Sequence, residues 1–500
     1  MLLASAADLI VASPLFVLFM GSLTPLIVKV LNKNKEPNNF LSMIQGVGTI
    51  LAALLLMVTV YFLLLSRANP FAFSNLIAVD GIAIIASTTC LLLALASLFL
   101  MRDNQSTNGD QFAELVFLTL NSVLGMLVLV MATDLLTLFV GIEVMSLALY
   151  MMIGISHEQK LSKEAAIKYF VLGSFASAIL LQGIAFIYGN LGTTSITVLT
   201  EKADLLIGQS PLFAVGMIFL MIGFLFKVSL FPFHVWTADV YQGAPTPHTA
   251  FMSTAVKMAS FAAFARIFVG SFLVNHDSML NILQWIGAIT IFAGNAGALV
   301  QNNLKRMLAF SSVAHSGYIL MGIIVIGLGA TKLGMTAVMF YLVTYSIMNM
   351  GALAMVSFLE KSYSDEISTD HIKGLAYKRP WLAGSFTVLL ISLAGVPPAL
   401  GFFGKFFIFT QALDQGLLWL TLWAGLGSVV GAYIYLKPIV YMYMIKDDDQ
   451  NEVISEAAKD HEVYNNRKWF TKTVVLASAF TILVIGLLNT LLYHLLSARL

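Results

Sequence analysis

The sequence predicts an all-α, polytopic membrane protein with about 14 transmembrane helices. Three observations carry that prediction. Hydrophobic residues make up 59% of the 500 positions and charged residues only 11%, whereas soluble domains carry about 25% charged residues. Apolar runs of the roughly 20 residues that a helix needs to cross a bilayer recur along the whole chain. Lysine and arginine gather between those runs with a strong alternating bias. Strand-like alternation is absent, which argues against a β-barrel.

In chain order the spans fall at about 10–30, 39–65, 75–101, 112–132, 134–155, 163–189, 210–233, 246–271, 278–300, 304–328, 331–359, 382–413, 416–445 and 471–496. The first ten residues lack a basic region and include Asp8, so the first span reads as a retained helix rather than a cleaved signal. The nearly continuous run 115–155 divides near Asp134. Assigning basic residues at span ends to the adjoining connection puts seventeen in odd-numbered connections and four in even-numbered ones. The positive-inside rule then makes the odd connections cytoplasmic and puts both termini on the opposite side of the membrane. Two long cytoplasmic connections follow. Residues 360–381, containing KSYSDEISTDHIKG, read as a short amphipathic surface piece. Residues 446–470, containing KDDDQNEVISEAAKDHEVYNNRK, read as a solvated charged stretch without a catalytic role.

The single cysteine, Cys90, lies in an apolar run and cannot form an intrachain disulfide or a thiolate set for zinc or an iron–sulfur cluster. His234 and His248 have the spacing of paired haem ligands, but Gly243, Pro245 and Pro247 between them rule out a shared helix. GLGSVVG at 425–431 lies inside an apolar span with no preceding strand, so it reads as close helix packing rather than a phosphate loop.

Five lysines remain inside spans: Lys168, Lys227, Lys257, Lys405 and Lys437. Lys168 and Lys437 lie near enough to span ends to snorkel. Lys227, Lys257 and Lys405 do not, and Glu143 adds an acid within the fifth span. Each buried charge costs at least about 2.5 kcal/mol, so intramembrane ions point to function. The plain alternative is that they pair and lock the bundle, but leucine would pack as well without that penalty. Burial lowers a lysine's pKa and a nearby carboxylate raises it, so a lysine that gains and loses such a partner is a proton switch. His315, in FSSVAHSGY, is either a further relay group or a hydrogen-bonded core histidine, and His234 is placed near water at the end of the seventh span. The remaining histidines, at 157, 276, 371, 461 and 494, read as loop or interface residues.

Two spans carry helix breakers. Pro232 ends or breaks the seventh just past Lys227, and Gly395, Pro397 and Pro398 interrupt the twelfth two turns before Lys405. Interrupted spans five helices apart are the pattern of an internally repeated transporter with central ion sites. Spans 4–8 and 9–13 are the predicted repeats, the second inverted because five is odd. The corresponding units are residues 1–110, 111–271, 272–446 and 447–500.

FKVSLFPFHVWTADVYQGAPTP (226–247), STAVKMASF (253–261), NLKRMLAFSSVAHSGY (303–318) and GVPPALGFFGKF (395–406) resemble the antiporter-like, proton-channel subunits of respiratory complex I. KEAAIKYFVLGSFASAILLQG (163–183), DVYQGAP and a lysine at 405 are similar to the subunit N family of bacterial NADH–quinone oxidoreductases, counterparts of mitochondrial subunit 2. The likeness runs from about 110 to 445. It implies fourteen helices with two inverted five-helix repeats, in one of several side-by-side proton channels of the membrane arm. It implies partners among the other membrane-arm subunits, including antiporter-like siblings, within the bilayer and without nucleic acid. It implies no redox cofactor in this chain, with NADH, FMN, iron–sulfur clusters and quinone handled by other subunits.

By the same resemblance Glu143 and Lys227 are the fifth- and seventh-helix partners, Lys257 links the half-channels, and Lys405 lies on the exit side. Glu164 and Lys168 match a charged pair of the sixth helix. Quinone reduction elsewhere would open the Glu143–Lys227 pair and send a proton through Lys257 to Lys405. Subunits of cation/proton antiporters or membrane-bound hydrogenases share the motifs around Lys227 and Lys257 and stay open as alternatives. So do a stand-alone solute carrier, for which no polar substrate cavity is visible, and a purely structural membrane subunit.

Overall fold

A computed structural model describes residues 6–31, 39–67, 71–104, 111–155, 160–268, 276–360, 367–444 and 468–500. The first helices are α1 (Ala6–Leu31), α2 (Asn39–Arg67), α3 (Gly81–Asp103), α4 (Phe112–Met131), α5 (Leu135–Gly154) and α6 (Lys160–Leu191). A short hairpin, β1 (Phe71–Ala72) and β2 (Ile77–Ala78), lies between α2 and α3. Next come α7 (Ile196–Gln209), α8 (Pro211–Lys227), α9 (Val235–Gly243), α10 (Thr246–Phe251), a π turn (Met252–Val256) and α11 (Lys257–Phe268). The second half holds α12 (Asp277–Leu299), α13 (Leu304–Gly327), α14 (Thr331–Leu359), α15 (Leu375–Lys378), α16 (Pro380–Ala394), α17 (Leu400–Asp414), α18 (Leu418–Tyr443), α19 (Trp469–Leu487) and α20 (Asn489–Arg499).

Among the described residues, 11 helices are long and apolar enough to cross a membrane. Each coincides with one predicted span. The other three predicted spans, the seventh, eighth and twelfth, are interrupted helices. The seventh breaks between α8 and α9 and the twelfth between α16 and α17, where the sequence placed the breaks. The eighth was predicted as one helix, but a π turn precedes Lys257. No proline or glycine marks that turn, so the sequence carried no breaker signal for it.

Side-chain caps fix several helix starts. Asp134 accepts from the amides of Leu136 and Thr137 and begins α5. Ser210 accepts from Phe213, with Pro211 at the first helical position of α8. Asn303 accepts from Arg306 and begins α13.

Glycines set the closest helix approaches. A Cβ on Gly125 of α4 would lie 2.3 Å from the Met145 amide nitrogen of α5. One on Gly294 of α12 would lie 2.4 Å from the amide of Ala314 in α13. Such contacts let dispersion hold helices together in lipid, where apolar side chains gain nothing by leaving water.

One backbone staple occurs twice. Leu135 donates to the carbonyl of Thr194 and Ile196 to that of Thr133, pairing the α4–α5 linker with the segment after α6. Leu304 donates to Ile367 and Thr369 to Asn302, pairing the α12–α13 linker with the segment after α14.

The connections read as wet are not uniformly so. Lys305, Glu360 and Lys468 keep only 8%, 3% and 2% of their surface. Lys468 closes the stretch predicted to be solvated, yet it donates to the carbonyls of Ser357 and Glu360. Residues 446–467 of that stretch, His461 among them, and His157 and Lys361 lie outside the described residues. In the other long connection the amphipathic expectation fits: Ile372 and Leu375 point inward.

Gly125→Ala should destabilise the α4–α5 pair by roughly 1–3 kcal/mol through overpacking. The unfolding midpoint in detergent measures it. Gly189→Ala, whose added Cβ meets nothing within 4 Å, should leave the midpoint in place.

Candidate functional site

Lys227, Lys257 and Lys405 lie on three of the interrupted helices and keep 3%, 1% and 5% of their surface. Lys227 is the last residue of α8. Its ammonium donates to Ser146 Oγ at 2.8 Å and Tyr150 OH at 3.5 Å, both on α5. Tyr150 is braced edge-on by Tyr169, which stacks on Trp236. The break after Lys227 is closed by outside donors and acceptors. The Trp236 indole donates to the carbonyl of Phe226, and the Phe231 amide donates to Thr290 Oγ1 of α12. Pro232 itself is exposed and lines a surface groove with Leu225 and Phe233.

Lys257 follows the π turn and donates to three acceptors on α13: Ser312 O at 2.7 Å, Ser312 Oγ at 2.6 Å and Ser316 Oγ at 2.8 Å. His315 sits between those serines and is fully enclosed. Its Nδ1 is hydrogen-bonded to Tyr341 OH at 2.7 Å and its Nε2 to Tyr435 OH at 3.0 Å. Tyr435 is in turn bonded to Ser311. The ammonium groups of Lys257 and Lys405 both act electrostatically on this imidazole.

Lys405 reaches back across the twelfth-span break. It donates to the carbonyls of Ala394 and Leu393 at the open end of α16, at 3.0 and 3.4 Å, and to Ser428 Oγ at 2.9 Å. Its ammonium also lies 5.0 Å above the Tyr318 ring. Gly395 makes the approach possible. Its φ is +82°, and a Cβ there would lie 3.0 Å from Lys405 Cδ and 3.2 Å from Nζ. Pro397 and Pro398 complete the turn before α17.

Glu143 is on α5, one turn before Ser146, and is half-buried. It does not touch Lys227. It acts on that lysine electrostatically, while its buried Oε1 has no partner among the described residues. Among the described residues no carboxylate forms an ion pair with any of the three lysines.

The secondary candidates divide. His315 joins the lysines. Lys168 pairs with Glu164 at 2.6 Å and with Asp239 at 3.1 Å, and Asp239 also binds Arg306 at 2.9 Å, a half-exposed cluster apart from the chain of lysines. Lys437 donates to Asn302 on the exposed side of α18. His234 begins α9 and touches none of the lysines; its Nδ1 is buried without a described partner. Sequence reasoning missed the hydroxyls. Ser146 and Tyr150 share a helical face with Glu143, and Ser312 and Ser316 flank His315, so spacing could have found them. Ser428 lies within the glycine-rich stretch read only as packing.

Buried lysines on interrupted helices, linked by hydroxyls and a histidine inside an all-helical membrane bundle, define an antiporter-like, ion-translocating membrane subunit. A family described as NADH:quinone oxidoreductase/Mrp antiporter, transmembrane, matches residues 132–432. NADH-quinone oxidoreductase subunit N of Bdellovibrio bacteriovorus is 50% identical over 439 residues, covering 88% of this chain and 89% of that protein. Its counterpart in Trichlorobacter lovleyi is 38% identical over 76% of this chain and 77% of that one. A chain of respiratory complex I from Thermus thermophilus superposes with a TM-score of 0.78 at 30% identity, covering 97% of this chain and 100% of that one. A chain of the Mrp complex from Dietzia sp. shares the fold, with a TM-score of 0.81, 22% identity and coverage of 98% and 97%. The chain belongs to the NADH-quinone oxidoreductase subunit N family.

Gly395→Ala should cost about 1–2 kcal/mol for a left-handed alanine and move Lys405 off the α16 carbonyls. A lower unfolding midpoint together with weaker proton pumping in the assembled complex would be the expected readout.

Proposed function

We propose that the chain is a proton-translocating subunit of the membrane arm of NADH:quinone oxidoreductase. It carries no redox centre of its own; NADH, FMN, iron–sulfur clusters and quinone belong to other subunits. The observation that carries this reading is the series Lys227, Lys257, His315 and Lys405, each buried and each held by hydroxyl or backbone oxygens rather than by a carboxylate. A proton released from Lys227 passes by way of Lys257 and the serine–histidine–tyrosine cluster to Lys405. Charge on Glu143, set by quinone reduction elsewhere, decides when Lys227 holds its proton.

The chain has fourteen spans in this reading: the 11 continuous helices and the three interrupted ones. Residues 111–271 and 272–446 form two inverted repeats, between an N-terminal unit at 1–110 and a C-terminal one at 447–500. The doubled backbone staple supports the repeat, since it joins the same two linkers in each half. Odd connections face the cytoplasm and both termini the periplasm of a bacterial inner membrane, as the basic residues indicate. Sibling membrane-arm subunits lie alongside. Leu136, Val140, Leu147 and Met151 form an outward stripe on α5, and Glu143 lies at its edge, where a carboxylate is better met by a protein neighbour than by lipid.

Lys227→Ala in the assembled complex, studied in membrane vesicles, tests the relay. Quinone reduction and proton pumping should fall together, by about a hundredfold or more, the loss typical of removing a positioned proton-transfer group. Unchanged rates of both quinone reduction and pumping in the assembled variant would remove Lys227 from the path.

A further inference from the structure

Among the described residues, every acceptor around the Lys257 ammonium lies on α13. A second polar line approaches it from another side. α14 packs along α10, the π turn and α11. At the end of that seam the Glu360 carboxylate accepts from the Thr246 hydroxyl at 2.5 Å. Two buried cations close the same end: Lys305 donates to the carbonyl of Ala244, and Lys468 to those of Ser357 and Glu360. Burial pushes the Glu360 carboxyl up, and Lys305, Thr246 and Lys468 pull it back only in part, so it takes a proton more readily than a surface glutamate.

Deeper in the seam, His248 is 1% exposed, and neither of its ring nitrogens has a hydrogen-bond partner among the described residues. Next, Asn349 donates to Ser253 Oγ at 2.8 Å, while its Oδ1 has no described partner. One turn away on α14, Tyr345 donates to Ser312 Oγ at 2.7 Å, the same oxygen that accepts from Lys257. Each orphaned buried polar atom is destabilising, because its lost hydration is not replaced. Buried waters normally remove that penalty by making about three hydrogen bonds each. A packing histidine would have been better served by leucine.

The geometry points to a hydrated proton-entry line in the seam between α10–α11 and α14, running from Glu360 through His248, Asn349 and Ser253 to Lys257. It admits protons from the end of the bundle that the basic residues mark as cytoplasmic. Glu360 and His248 are the groups that hold the proton on the way, and Asn349 and Ser253 position the water between them and Lys257. This inference rests on the relay reading above.

The test uses the intact complex in inverted vesicles, with Cys90→Ala as background. His248→Cys, Asn349→Cys and, one turn beyond Lys257, Phe261→Cys are exposed to a charged methanethiosulfonate on the cytoplasmic face. The first two should label at least about tenfold faster than the third, a barrier difference of about 1.4 kcal/mol. In parallel, His248→Leu and Glu360→Gln should lower the pumping rate in complexes that assemble normally on native gels. Equally slow labelling at all three positions would mean a dry seam and overturn the entry line. If pumping also stops in Lys257→Ala, the relay survives that failure. If Lys257→Ala pumps normally, relay and entry line fall together.

Discussion

An ammonium group in an apolar interior must have its N–H donors met, because leaving even one charge unsolvated costs several kcal/mol. Much of what is irregular in this bundle lies where that requirement is met. The end of α16 leaves carbonyls open, and Lys405 occupies them. α8 stops at Lys227 itself, so the negative end of its dipole lies at the lysine. The π turn comes immediately before Lys257 and shifts the register in which that side chain meets α13.

Precision in those contacts depends on helices that cannot drift. Glycine seams bring α4 against α5 and α12 against α13 at backbone distance. The two staples tie each of those pairs to the segment that follows the next helix. α13 then carries Ser311, Ser312, His315, Ser316 and Tyr318, and most of the polar chain radiates from this one buried helix. The interrupted helices bring their lysines to a fixed framework rather than to one another.

Much of this was legible in the sequence. Hydropathy and basic residues marked the spans, and Pro232 and the 395–398 turn marked two breaks, because a missing amide and a left-handed glycine are local properties. The three lysines stood out for the same reason: their cost is set by where they sit along an apolar run. What stayed hidden depends on contacts between distant segments. The π turn has no local signal. Tyr341, Tyr345 and Tyr435 reach His315 from two other helices. Lys305, Glu360 and Lys468 looked like loop charges, and only packing shows them enclosed. The expected Glu143–Lys227 contact is replaced here by Ser146.

The prevalence of hydroxyls around these lysines bears on reorganisation. A charged lysine has three donors and no acceptor; a neutral one has two donors and a lone pair. A carboxylate or a backbone carbonyl can accept from the N–H groups of either form but has no hydrogen to give the lone pair of the neutral one. A serine or tyrosine hydroxyl answers either by rotating its hydrogen. Lys227 touches two hydroxyls, Lys257 two and Lys405 one. Each nitrogen can therefore change protonation state while every heavy atom around it stays still. The interior is rigid for atoms and soft for hydrogens, so a charge can cross it without the protein being repacked at every step.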